Sequence, residues 1–168
     1  MTKRLHVASN GPTLAAATTI YSSLVGAAVQ LTETSSVQQR CRTGGGTFSG
    51  LRTYISANSL NTGTSTLKFR KNAANGNLSV SISSGVTGWF EDISNTDTVA
   101  QNDQVNLQMI TSGASGTITF SRSVIEFDST FEFFRSSGVS SLGSAATSYV
   151  GVNDPGSAQP AESNKQAK

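Results

Sequence analysis

Four carboxylates, Glu91, Asp92, Asp97 and Asp103, gather in one short stretch of the chain. Paired carboxylates are what glycoside hydrolysis requires, and aspartate oxygens in the loops of β-sandwiches also hold calcium. Calcium loops alternate Asp and Asn around a glycine, however, and that ladder is missing while the spacing here is irregular. An acidic cluster of this kind reads first as solvated loop charge. Nucleophilic chemistry has less material. His6 is the one imidazole and sits beside Lys3 and Arg4, and no serine lies in a Gly-x-Ser-x-Gly turn, so a Ser-His-Asp machine does not assemble. Cys41 lies between Arg40 and Arg42, two cations that would lower a thiol pKa. A half-exposed structural thiol is the plainer reading. No glycine-rich phosphate loop occurs. Catalytic residues, metal ligands and cofactors are all expected to be none, and the chain reads as a non-enzyme.

Binding is the more productive class. Arg40, Arg42, Lys68, Arg70 and Lys71 form a basic patch if their two strands are neighbours, with Lys3 and Arg4 adding charge from an N-terminal arm. The stretch from Glu91 to Asp103 is the acidic counterpart, and opposite patches on one small domain favour ordered subunit contacts. The plain alternative is solvated strand faces. Trp89 and Phe90 are adjacent, so in a strand one faces the core and the other faces out. An outward Trp89 stacks on a sugar ring or anchors a protein interface. The expected partner-binding residues are therefore Lys3, Arg4, Arg40, Arg42, Lys68, Arg70 and Trp89. Nucleic acid is not an expected partner. The net charge is only +2, far from a dense basic stripe, and three Tyr and one Trp make a poor base-stacking platform.

The elements that must position these residues are strands. The 168 residues include 27 Ser, 20 Thr and 16 Gly but only 13% charged residues, little material for long solvated helices and much for pleated strands with one wet face. From about Ala27 to Phe134 apolar residues alternate between turn signals. Phe48, Leu51, Thr53 and Ile55 oppose Arg52 and Tyr54. Leu67 and Phe69 point in while Thr66, Lys68 and Arg70 point out, and Leu78, Val80 and Ile82 alternate with Ser79, Ser81 and Ser83. Asn75-Gly76 is the expected hairpin turn between these two runs. Ile118, Phe120, Val124 and Phe127 are apolar in the last long strand, where strict period two fails unless a bulge intervenes.

The pattern predicts an all-β, antiparallel two-sheet jelly-roll sandwich. Residues 1–26 are expected as an N-terminal arm and first strand, 27–134 as the sandwich, and 135–168 as a C-terminal extension. That extension is expected to be largely irregular, or in contact with a neighbouring subunit. Ala17-Thr18-Thr19-Ile20-Tyr21 is echoed by Ala146-Thr147-Ser148-Tyr149-Val150, either by chance in a hydroxyl-rich chain or as the start of a second module copy whose strand joins a neighbour's sheet. The apolar stretch from Leu14 to Leu31 is interrupted by Thr18, Thr19, Tyr21, Ser22 and Ser23, unlike a cleaved signal. No run of about 20 apolar residues exists to span a membrane, and one cysteine makes no internal disulfide.

Three segments carry a resemblance. Gly46-Thr47-Phe48-Ser49-Gly50-Leu51-Arg52-Thr53-Tyr54-Ile55-Ser56-Ala57-Asn58, Ser65-Thr66-Leu67-Lys68-Phe69-Arg70-Lys71-Asn72 and Thr87-Gly88-Trp89-Phe90-Glu91-Asp92 together resemble jelly-roll modules that recur in structural proteins of tailed bacteriophages. The likeness covers about Ala27 to Phe127. It implies a capsid decoration (cement) protein or a tail-fibre module, usually trimeric and without enzyme activity. The implied partners are the major capsid protein or another virion protein and further copies of the chain, and the implied location is the outer capsid surface. No catalytic residues carry over.

Overall fold

The computed structural model describes residues 3–9, 11–24, 29–34, 37–41, 44–129, 149–150 and 158–159, with 3–9, 129, 149–150 and 158–159 described by their backbone alone. Among the described residues thirteen strands run in chain order: β1 (Lys3–Ser9), β2 (Thr13–Ala15), β3 (Thr19–Ser22), β4 (Val29–Gln30), β5 (Gln39–Arg40), β6 (Gly46–Asn58), β7 (Thr64–Lys71), β8 (Ala74–Ser83), β9 (Gly88–Val99), β10 (Gln104–Ile110), β11 (Thr117–Ser129), β12 (Tyr149–Val150) and β13 (Ala158–Gln159). No helix among the described residues is long and apolar enough to cross a membrane.

The protein is an all-β sandwich of two antiparallel sheets. The first has the order β1-β11-β6-β9, with β2 also on β11, and the second the order β4-β3-β10-β7-β8, with β5 also on β10. Of the longer strands, the outermost in sequence pair with each other and the pairing then moves inward: β1 with β11, β3 with β10, β6 with β9, and β7 with β8. The sandwich therefore includes strands that precede residue 27, and the expected boundary there cuts through it. Lys3–Ser9, expected within an arm, pairs with the C-terminal half of β11 from Lys3↔Ser129 to Ser9↔Ser123. Ala158–Gln159, in the segment expected to be irregular, pairs with Tyr149–Val150. Phe131, Phe133 and Phe134 lie outside the described residues, as does most of 135–168.

Alternation builds the core. Phe48, Leu51, Thr53 and Ile55 of β6, Leu67 and Phe69 of β7, and Leu78, Val80 and Ile82 of β8 are all buried, as expected. Phe48 sits between Phe127 of its own sheet and Phe69 of the other, with centroids 4.4 and 4.7 Å apart. Rings at these separations in tilted arrangements gain from edge–face attraction beyond their buried area. Along β10 even the intervening Asn106 and Gln108 are buried, as befits a central strand whose outer side is also covered.

One turn moves from its expected place, and one bulge falls where it is expected. The β7–β8 hairpin turns at Asn72-Ala73, both with positive φ (50° and 61°), the signature of a two-residue type I′ turn. Asn75-Gly76 lies inside β8 instead. On β11 the expected bulge is present, with Phe120 opposite Ile55 and Arg122 opposite Tyr54, which leaves Ser121 as the extra residue. The phase change makes Ser123, Ile125 and Phe127 the buried residues and turns Val124 to the outer face.

Candidate functional site

The acidic cluster lies on strand β9 and the loop after it, and two of its members are turned inward. Asp92 and Asp97 are only 8% and 7% exposed. Both sit beside irregular ladders. Between Leu51↔Asp92 and Ser49↔Thr96 the strand β9 carries two more residues than β6, and between Arg70↔Asn75 and Lys68↔Ser79 the strand β8 carries two more than β7. Such bulges leave backbone N–H groups without ladder partners. The two carboxylates take them. Asp97 accepts from the N–H of Asn77 (2.8 Å) and Leu78 (2.9 Å). Asp92 accepts from the N–H of Ser79 (2.9 Å), Ser94 (3.2 Å) and Asn95 (3.1 Å), and from the Asn95 amide.

β8 and β9 are edge strands of different sheets, so these bonds join the sandwich along one flank and blunt an edge that would otherwise offer free donors. Gly76 permits the approach, because a Cβ there would lie 2.5 Å from Asp97 Oδ2. Burial pushes the Asp92 carboxyl up, but the N–H donors of Ser79, Asn95 and Ser94 outweigh it and hold the group below its ordinary value. Asp103 is likewise held down, by the Ala100 N–H and the Asn72 amide. The expectation of solvated loop charge is therefore corrected for Asp92 and Asp97. Both point at backbone donors, and Glu91 alone of the pair Glu91–Asp92 faces outward, in an ion pair with Arg52 (3.0 Å).

The expected basic patch is divided. β5 and β7 lie on either side of β10 and are not neighbours. Arg70 holds Glu33 through Nε (3.0 and 3.1 Å) and Nη2 (2.7 Å), reaches Asn75 Oδ1 and the Ala73 carbonyl, and lies 5.4 Å over the Tyr21 ring. This bidentate clasp pins the 31–34 segment over the outer side of β7 and β10. Burial pushes Glu33 up, yet the Arg70 hydrogen bonds and charge leave it lowered. Lys71 Nζ donates to the Thr98 carbonyl (3.0 Å). Arg40 is exposed and Lys68 half-buried. Arg42 lies outside the described residues, and Lys3 and Arg4 are placed by backbone alone, opposite Ser129 and Asp128. Cys41 is fully buried rather than half-exposed.

Trp89 does face out, at 56% exposure, beside Tyr54 at 39%. Register places Trp89 of β9 opposite Tyr54 of β6, and Tyr54 opposite Arg122 of β11, so the three form one row across three strands. The rings lie 5.3 Å apart, inclined at 52°. With Ser121 and Arg122 they line an open groove of about 320 Å³. Gly88, with φ +113°, allows the turn into Trp89, and the Asn58 amide ties that turn down by donating to the carbonyls of Ser83 and Val86 (3.0 and 2.9 Å). Arg122 escaped the sequence reading because the β11 bulge turns it out to the same face as Ser121. Among the described residues no group of three or more His, Cys, Asp and Glu could hold a metal ion. Comparison with family models, with curated proteins and with solved structures found no match for the chain.

Proposed function

We propose that the chain is a virion structural protein of tailed bacteriophages, a capsid decoration (cement) protein on the outer capsid surface. It assembles as a trimer and clamps adjacent subunits of the major capsid protein, or of another virion protein, with no need of nucleic acid or membrane. The strand pairing supports reading the sandwich as a jelly roll, since nested pairs from the chain ends inward arise when one long antiparallel hairpin is wound into two sheets. One observation carries the proposal. Asp92 and Asp97 knit the flank of the sandwich through backbone amides, so the acidic cluster stiffens a scaffold and leaves broad sheet faces as what the protein presents. Many weak contacts made by such faces in an oligomer multiply through effective concentration.

Size-exclusion chromatography with light scattering, followed by co-sedimentation with purified capsids, tests the reading. A trimer mass and saturable co-sedimentation are expected. A monomer that stays in the supernatant overturns it. The Tyr54–Trp89 groove favours a second reading, a tail-fibre or host-recognition module that binds a surface glycan or receptor.

A further inference from the structure

We propose that the groove formed by Tyr54, Trp89, Ser121 and Arg122 binds an acidic carbohydrate, with a pyranose ring against the two aromatic faces and its carboxylate on Arg122. The inference goes beyond the decoration reading and deepens the glycan alternative, on which it rests.

Four observations converge. Tyr54 and Trp89 are large, exposed and adjacent, and their inclined rings make a trough that takes the apolar C–H face of a sugar. Arg122 closes the far end. Its strand lies two away from that of Trp89, roughly 10 Å at the usual strand spacing, a distance that a monosaccharide with an acid substituent spans. Arg122 takes no part in the ion pairs among the described residues, whereas the neighbouring Arg52 is held by both Glu91 and Glu126 (3.0 and 2.9 Å). The groove thus presents a free guanidinium with five donors, and the matching ligand charge is an anion. Glu91, the nearest outward carboxylate on β9, is engaged by Arg52. Finally, the bulge sets Ser121 into the groove, where its hydroxyl donates to Ser56 Oγ (2.5 Å), a hydroxyl pair suited to sugar O–H groups. Bulges commonly re-aim a side chain beside a site. The volume is at the small end for ligand sites, which run from roughly 300 to 1,000 Å³, and suits one or two sugar units.

Trp89 is the chain's one tryptophan, so its emission reports on this groove directly. The full chain is titrated with hyaluronan tetrasaccharide and with sialyllactose, which carry uronic and sialic carboxylates, and with neutral chitotetraose and lactose. A saturable change with at least one carboxylated probe is expected, and its identity separates the two acid classes. Arg122→Gln should weaken that probe by about tenfold or more, the loss expected for a charge-assisted hydrogen bond. Trp89→Ala, followed by calorimetry, should abolish binding, while Ser81→Ala, on an exposed position of the other sheet, should leave it unchanged. Equal binding of neutral and carboxylated sugars, an unaltered affinity in Arg122→Gln, or no response to either carboxylated probe at about 10 mM, where Kd values of millimolar order would register, each overturns the inference. Co-sedimentation of the same variants with capsids keeps the two readings apart. Capsid binding lost in Trp89→Ala without any sugar response makes the groove a protein contact and leaves the decoration reading standing.

Discussion

Replacing Asp92 by Asn changes little in shape and much in hydrogen bonding. In the native protein one carboxylate oxygen, Oδ2, faces the Ser79 N–H across the flank, and Oδ1 faces the N–H groups of Ser94 and Asn95 within its own bulge. An amide has one acceptor. Whichever way it turns, its NH2 confronts either the Ser79 donor or the pair from Ser94 and Asn95. A buried donor left without a partner costs roughly 1–3 kcal/mol, so Asp92→Asn should cost about 2–4 kcal/mol, and Asp92→Ala, which strands all three donors, about 3–5 kcal/mol. Stability of a domain is typically about 5–15 kcal/mol, so the Asn variant folds but with little reserve.

Urea unfolding followed by Trp89 emission and far-ultraviolet circular dichroism measures the loss. With a slope of about 2 kcal/mol/M, the midpoint of Asp92→Asn should fall by about 1–2 M. pH supplies an independent check. The Asp92 carboxyl is lowered from 3.8 in the folded protein, so ionisation favours the fold. That contribution is complete above 3.8 and is lost as pH falls through the folded value. The wild-type advantage over Asp92→Asn should therefore be full at neutral pH and shrink in the acid limb below 3.8. A variant within about 0.5 kcal/mol of wild type, the scatter of ordinary surface substitutions, or a gap that does not narrow in acid, refutes the idea that this carboxylate holds the flank.

Three further outcomes follow from the same geometry. Arg70→Ala leaves Glu33 nearly buried without its partner and should cost about 3 kcal/mol, the range for breaking a buried pair; Arg70→Lys should recover only part in thermal unfolding, because an ammonium cannot make the forked contact. Gly76→Ala puts a methyl 2.5 Å from Asp97 Oδ2 and should lower stability by about 2 kcal/mol through the displaced N–H bonds, with much smaller loss in an Asp97→Ala background when the double-mutant cycle is measured. Ala73→Gly, at φ 61° in the hairpin turn, should raise the urea midpoint by an amount equal to about 0.5–1 kcal/mol, since an L-residue is strained there and Asn-Gly is the preferred type I′ pair.

What the amino-acid order makes legible, and what it hides, divides along the range of the interactions. Period-two alternation is local, so the inward faces of β6, β7 and β8 could be read one strand at a time, and each matches its burial. The same parity puts one of Trp89 and Phe90 outward, and the fold makes it Trp89. Turn chemistry is also local but ambiguous here, because Asn72-Ala73 and Asn75-Gly76 compete within a few residues. The second carries the stronger turn signal, yet Gly76 is required elsewhere, against the Asp97 carboxylate, a demand made by a residue on another strand. The groove was half visible for a similar reason. Tyr54 and Trp89 sit in regular ladder positions, but Ser121 is the bulge residue and Arg122 follows it, and parity counted from the buried Phe120 turns Arg122 to the wrong face.

The acidic cluster shows why composition alone misjudges polar residues. An Asp in a Ser- and Asn-rich stretch looks solvated because the sequence holds no cation near it, and pairing with a cation is the usual licence for burying a carboxylate. Backbone amides are a second licence, and they carry no sequence signature. Two ladders with extra residues, β8 opposite β7 and β9 opposite β6, come together at one flank and expose five N–H groups there. Each bulge alone would be a defect in an edge strand. Set side by side with Asp92 and Asp97 between them, the surplus donors of one sheet become the reason that the carboxylates of the other can be buried. The two irregularities must therefore be kept or lost together: removing the extra residues from β8 should make Asp97 a liability in β9, although its own strand is untouched.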